Sequence, residues 1–108
     1  MAWRSYRGDM YVVLVTYTAP VPDVDYALPD HSEWLAKQYE QERLIASGRR
    51  DLHRGEVMIT RPMSRLKLDA MLASDPLSIR HLASYEVIEF AASRTCHELH
   101  EINELLAG

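Results

Sequence analysis

The sequence predicts an α+β domain whose elements follow the order β-α-β-β-α-β, on the strength of three observations. Residues 10–18 form an apolar run of strand length, and residues 24–43 place apolar side chains at helical spacing. Gly55 lies between two short apolar stretches, as expected for a β-hairpin, and a second helix and a last strand follow. This order is typical of the ferredoxin-like fold, in which two helices pack on a four-stranded sheet.

The first strand, at residues 10–18, is apolar on both faces. Val13 and Val15 lie on one face, and Val12 and Leu14 lie on the other. Two helices can cover one face of a four-stranded sheet, so a second layer is needed for the other face. We therefore expect a homodimer formed through the sheet face. The alternative is that the terminal helix folds under its own sheet.

The first helix is predicted over residues 24–43, with a break or kink at Pro29. Pro29 suits the first position of the main helix, where its missing N–H costs nothing, and Asp23 can cap a short turn before it. In this interpretation His31 falls in the first turn of the main helix, on its apolar stripe. The helix dipole disfavours an imidazolium there, which favours a neutral base at pH 7.

The other strands and the second helix are predicted from shorter patterns. Apolar and β-branched residues between turn residues predict the strands, and Ser64 is placed to cap the helix. The predicted strands are residues 44–51, 56–62 and 84–91, and the predicted helix is residues 64–74.

The second helix ends at the pair Asp75-Pro76. Because the residue before a proline is pushed out of the helical region, Asp75 is expected to be extended and to lie at a corner of the chain. A carboxylate held at that corner can point into a cavity. The alternative is that Asp75 only caps the short helical turn predicted at residues 77–82.

The chain divides into three predicted parts. Residues 1–9 are an N-terminal extension, residues 10–92 are the domain, and residues 93–108 are a C-terminal helical tail. The helix of the tail begins with Thr95 as its cap and Glu98 at the third helical position, which together match a capping box.

Composition narrows the classes of function. A net charge of −4 with mixed signs gives no basic patch for nucleic acid, and no apolar run is long enough to span a membrane. The single cysteine, Cys96, fits a reduced cytoplasmic compartment. No glycine-rich phosphate loop predicts a nucleotide cofactor, and His97 and His100 lack the spacing of a zincin helix. We therefore expect neither a cofactor nor a metal.

Several segments, taken in order, resemble one protein family. They are Met10-Tyr-Val-Val-Leu-Val, His31 three residues before Trp34-Leu35, Leu-Ile-Ala-Ser-Gly48, and Asp75-Pro76 followed by Tyr85-Glu86-Val87. Residues 10–92 are in this respect similar to the YciI (YCII-related) family. The resemblance implies a ferredoxin-like fold, a dimeric α/β barrel and a site built on His31 and Asp75. The chain departs from the family at Leu28, where arginine is frequent, and at Arg49, where proline is frequent.

The candidate chemistry centres on His31 and Asp75. The carboxylate can bind one ring nitrogen and orient the other toward a substrate, which makes the pair a general base. The same carboxylate raises the pKa of the histidine and so opposes the helix dipole. Arg49 can bind an anionic substrate group, and His81 and Tyr85 can line the same cavity. The structural alternatives are a satisfied core histidine, a solvated arginine, a surface histidine and a core tyrosine.

Together, the residues and the resemblance predict a cofactor-independent lyase or isomerase that acts on a small enolisable or cyclic substrate. In this hypothesis His31 moves the proton and Asp75 orients the ring. Two other classes stay open: a non-catalytic small-ligand-binding or accessory dimer, and a monooxygenase-like dimeric α/β barrel protein. Because one fold hosts unrelated functions, topology does not choose among them.

Overall fold

The sheet has four strands, and neighbouring strands are antiparallel. A computed structural model of the chain describes residues 9–103. Its strands are β1 (Met10–Tyr17), β2 (Leu44–Arg49), β3 (Gly55–Thr60) and β4 (Ala83–Phe90), in the order β2-β3-β1-β4. The two outer strands are thus each separated from their crossover partner by an inserted strand, which confirms the predicted ferredoxin-like α+β fold.

The helices are α1 (Val21–Glu40), α2 (Arg65–Ala73) and α3 (Pro76–Ile79). Ser64 caps α2 by accepting a hydrogen bond from the Lys67 N–H at 3.2 Å. Within the described residues, no helix is long and apolar enough to cross a membrane. Residues 1–8 of the predicted extension and the last five residues of the predicted tail lie outside the described part.

The predicted break in the first helix is wrong. Helix α1 begins at Val21, with Pro20 as its N-cap, and runs through Pro29 without ending. Pro29 cannot donate to the carbonyl of Asp25, but both residues are exposed, so water can hydrate that carbonyl. His31 consequently lies in the middle of a 20-residue helix and not in its first turn.

The main core lies between the helices and one face of the sheet. Tyr11, Val13 and Val15 of β1 are buried there and belong to one cluster with Trp34 of α1 and Leu68 of α2. These side chains alternate along β1, so the other side chains of the strand face away from the helices.

The second face of the sheet is only partly covered. Val12 and Leu14 are half-buried there, whereas Ile88 and Phe90 of β4 are 46% and 37% exposed. The terminal segment packs Ile102 against Met10 and Ala92 at one end of this face. No other helix among residues 9–103 packs on this face.

The terminal helix differs from its prediction. It is a short 3-10 helix at His97–Ile102, its N-cap is Cys96, and no side chain caps it. The Thr95 hydroxyl accepts a hydrogen bond from Asn103 Nδ2 at 3.4 Å, so it ties together the two ends of this segment. The predicted capping box is therefore wrong.

The close packing of β3 against β1 can be tested at Gly55. A Cβ at this position would lie 1.8 Å from the carbonyl oxygen of Val15, so Gly55→Ala forces two strands apart. We expect this change to lower the free energy of unfolding by about 2 kcal/mol or more. At Gly48 a Cβ meets nothing within 4 Å, so Gly48→Ala is the matched control and should change stability by less than about 0.5 kcal/mol. Equal denaturation midpoints for the two variants would contradict this packing.

Candidate active site

His31 lies on the buried face of α1. It shares this face with Ala27, Trp34 and Gln38, which are spaced at three or four residues, and its side chain is almost fully buried. The ring stacks on the Trp34 indole, with centroids 5.6 Å apart and planes 22° from parallel. Trp34 is in turn held by a hydrogen bond from its Nε1 to Ser74 Oγ at 2.9 Å. The imidazole is therefore fixed by packing before any polar contact is considered.

Asp75 contacts one ring nitrogen of His31. Its backbone is extended at the N-cap of α3, as the following proline predicts, and its side chain is fully buried. Oδ1 lies 2.7 Å from His31 Nδ1 and also accepts the Leu77 N–H at 3.0 Å. Oδ2 accepts the Tyr85 hydroxyl at 2.6 Å. Asp75 thus caps α3, as one of the two interpretations of the sequence had it, and its carboxylate also joins His31 and Tyr85 in the interior.

Glu56 contacts the other ring nitrogen and was missed by the sequence analysis. Its Oε1 lies 3.0 Å from His31 Nε2, and the residue is buried at the start of β3. The sequence contained a pattern from which Glu56 could have been identified. Glu56 is two residues from Met58, whose side chain belongs to the main core, so the alternation of the strand sends the Glu56 carboxylate toward the helices.

These contacts decide the protonation state of His31. Burial lowers the pKa of the ring, but the hydrogen bonds and charges of Asp75 and Glu56 outweigh it and raise the pKa from 6.5 to about 9. His31 is therefore an imidazolium at pH 7, and each ring N–H donates to a carboxylate. The helix dipole does not oppose this, since His31 is not near the start of α1.

Tyr85 acts as a donor in the same network. Burial, followed by its hydrogen bond to Asp75, raises the pKa of its hydroxyl above the ordinary 10.0. The group therefore stays protonated at neutral pH and keeps donating to Oδ2 of Asp75. The structure places this predicted site residue against the carboxylate.

Arg49 lies at the edge of the same group. It pairs with Glu56 across β2 and β3, so both side chains lie on the helix side of the sheet, and Arg49 is exposed. Its neighbour Arg50 donates to Thr16 Oγ1 at 2.7 Å and so has a structural contact. Burial raises the pKa of Tyr17, the charge of Glu56 raises it further and that of Arg49 lowers it.

His81 is not brought into the network. It lies exposed in the turn after α3 with a φ of 57°, and its backbone N–H donates to the carbonyl of Ser78. Within residues 9–103 its imidazole makes no hydrogen bond to the site residues. No group of three or more His, Cys, Asp or Glu side chains in that range is arranged to hold a metal ion.

Comparisons with known proteins do not assign the chain to a family. No family model matches the chain, and no curated protein matches it either. Among solved structures, the fold is similar to SnoaB, described as a cofactor-independent oxygenase from Streptomyces nogalater, with 16% identity and a TM-score of 0.48. The match covers 82% of this chain and 96% of that one. An asparagine-to-alanine variant of SnoaB gives a TM-score of 0.47 at the same identity and coverage. Similarity this low does not carry an activity over, and the YciI resemblance stays a prediction.

The stability of the fold should depend on pH through His31. A histidine whose pKa is raised on folding stabilises the folded state fully below about pH 6.5, and this contribution is lost as the pH rises through about 9. We expect the free energy of unfolding to fall by about 2 kcal/mol between pH 7 and pH 9. Urea titrations across this range measure it.

The control for this measurement is His31→Gln. This variant is less stable at pH 7, and its stability should change much less over the same pH range, since the titrating ring is gone. A variant that follows the same pH dependence as the original chain would show that another group causes the effect.

Proposed function

We propose that this protein is a small acid/base enzyme of the lyase or isomerase kind, acting on a small enolisable or cyclic substrate without a bound cofactor. The observation that carries the proposal is the buried chain Asp75–His31–Glu56, with contacts of 2.7 and 3.0 Å. Removing such ions from water costs several kcal/mol for each group even after relaxation. A buried histidine whose pKa is raised by specific charged partners, as that of His31 is, is a recognised feature of functional sites.

The imidazolium changes the role predicted for His31. A ring that is already protonated at pH 7 cannot accept a proton, so His31 is not the resting general base. It instead supplies a fixed positive charge, which stabilises the negative charge that develops when an enolate forms. Asp75 retains the proton on Nδ1 and sets the orientation of the ring. The substrate proton is then exchanged on the side of the His31 ring that faces Glu56.

A non-catalytic small-ligand-binding protein is the second candidate. The observation in its favour is that the network is complete without a substrate. Both ring nitrogens of His31 have partners, and across residues 9–103 no buried side-chain nitrogen or oxygen lacks one. Such a network can stabilise the core without contacting a ligand, which would then bind to neighbouring residues.

We further propose that the protein is a homodimer formed through the open face of the sheet. Val12 and Leu14 are half-buried on this face in a single chain, and Ile88 and Phe90 are exposed beside them. The terminal segment covers one end of the face through Ile102 and leaves these four residues accessible. Exposed apolar side chains on two neighbouring strands are typical of a subunit interface.

Proton exchange in deuterated water tests the enzymatic proposal whatever the product of the reaction is. We expect the protein to exchange the acidic C–H of at least one compound in a panel of small enolisable acids and lactones, followed by proton NMR. His31→Gln should slow this exchange by about 100-fold. His97→Gln removes an exposed histidine elsewhere and should leave the rate unchanged.

Three results distinguish the candidate functions in this assay. Exchange that is lost in His31→Gln supports the acid/base enzyme. Binding of a compound with neither exchange nor a new product supports the ligand-binding protein and contradicts the enzyme. Oxygen consumption with a phenol or quinol in the panel would instead support the monooxygenase-like class that the sequence left open.

The dimer is tested by sedimentation. At micromolar concentration we expect a species of about twice 12.4 kDa, and Ile88→Asp should shift it to the monomer by burying a charge in the interface. Leu66→Asp is the matched control, because Leu66 is 83% exposed on α2, and it should stay dimeric. A monomeric original chain, or a dimer unaffected by Ile88→Asp, would reject this interface.

A further inference from the structure

Asp75 and His31 have no atom left with which to contact a substrate. The two oxygens of Asp75 are engaged with His31, the Leu77 N–H and the Tyr85 hydroxyl, and the side chain is fully buried. Both ring nitrogens of His31 point at carboxylates. A substrate can therefore reach this network only through its third member, Glu56.

Glu56 offers one free oxygen. Its Oε1 contacts His31, whereas Oε2 has no hydrogen-bond partner within residues 9–103. Because no buried side-chain oxygen in that range lacks a partner, Oε2 is not buried and must be in contact with solvent. The side chain of Glu56 is correspondingly the most exposed of the three, at 10% compared with 4% for His31 and 0% for Asp75.

An exposed cation neighbours Glu56 in the register of the sheet. Arg49 is the partner of Glu56 across β2 and β3, and the two side chains lie on the same face of the sheet. Arg49 is exposed and makes no hydrogen bond or ion pair within residues 9–103, so its guanidinium is available to a ligand. A guanidinium binds a carboxylate through two parallel hydrogen bonds.

We propose that Glu56 is the catalytic base and that its substrate is a small carboxylic acid whose carboxylate is bound by Arg49. This inference rests on the proposed function and deepens it by naming the base and the substrate class. Oε2 takes a proton from the carbon next to the enolisable carbonyl group of the substrate, which is distinct from the carboxylate that Arg49 binds. The electron pair of the C–H bond then forms the enolate. The protonated Glu56 returns the proton to the electron pair on the same carbon or, where a double bond extends the enolate, to the carbon at the far end of that double bond. No oxidant or reductant is required.

His31 has a distinct role in this step. Its imidazolium remains bonded to Oε1 of Glu56 and to Asp75, so it holds the base in place and offsets the charge of the enolate. His31 and Asp75 are in this sense positioning residues for Glu56. The contact with the substrate belongs to Glu56 and Arg49.

Covalent labelling with two epoxides tests the site directly on the purified protein. The probes are glycidate, which carries a carboxylate, and glycidamide, which is uncharged and of similar size. A carboxylate oxygen attacks an epoxide carbon, the ring C–O bond breaks, the ring oxygen takes a proton from water, and an ester remains. Intact mass and peptide mapping give the rate at each carboxylate.

Glycidate should label Glu56 at least about tenfold faster than Glu33 and Glu40, two exposed carboxylates of α1 that serve as internal controls. Arg49→Gln should slow the reaction of glycidate at Glu56 by about tenfold and should leave that of glycidamide nearly unchanged. Labelling of Glu56 no faster than that of Glu33, or an equal effect of Arg49→Gln on both probes, would overturn the inference.

The proton-exchange assay separates this inference from the function on which it rests. If the original chain exchanges the substrate proton and Glu56→Gln abolishes exchange while keeping the fold, both stand. If Glu56→Gln keeps the exchange rate, Glu56 is not the base, whereas the enzymatic proposal survives. If the original chain exchanges nothing, the enzymatic proposal fails, and Glu56 is not a catalytic base even where it is labelled.

Discussion

A protonated histidine held between two buried carboxylates is the constraint on which this structure depends. His31 comes from α1, Glu56 from the start of β3 and Asp75 from the N-cap of α3, so three separate elements must meet to satisfy one ring. Leaving any one of these charges without its partners in the interior costs far more than a lost surface ion pair. The network therefore also fixes how the helices sit on the sheet.

The backbone around the network explains how these groups reach each other. Pro76 keeps Asp75 extended, which turns its carboxylate back toward α1 and places Oδ2 within reach of Tyr85 on β4. On the other side, Gly55 allows β3 to approach the Val15 carbonyl closely, and Glu56 follows immediately. Two small local features thus position the two carboxylates. The imidazole of His31 reaches both carboxylates simply because it lies on the buried face of α1.

The two faces of the sheet carry different kinds of side chain. The helix side holds the main core and the charged network, and Glu56 and Arg49 connect that network to solvent at one edge. The opposite side carries the apolar side chains of Val12, Leu14 and Ile88 and is covered at one end by the terminal segment. Because β1 carries side chains to both sides, Val13 packs in the core while Val12 lies on the open face. The proposed substrate site and the proposed subunit interface therefore lie on different faces of the sheet.

The sequence by itself determined the order of the elements, the Ser64 cap and the extended corner at Asp75, because these follow from neighbours a few residues away. Only the tertiary structure decided that Glu56 joins His31, since contacts across 25 and 44 residues depend on packing. The charge of the His31 ring could not be predicted from neighbouring residues in the sequence either. Burial lowers its pKa, and two carboxylates that are distant in the sequence raise it. Helix α1 passes through Pro29 at an exposed position, where water can hydrate the carbonyl that the proline leaves unpaired.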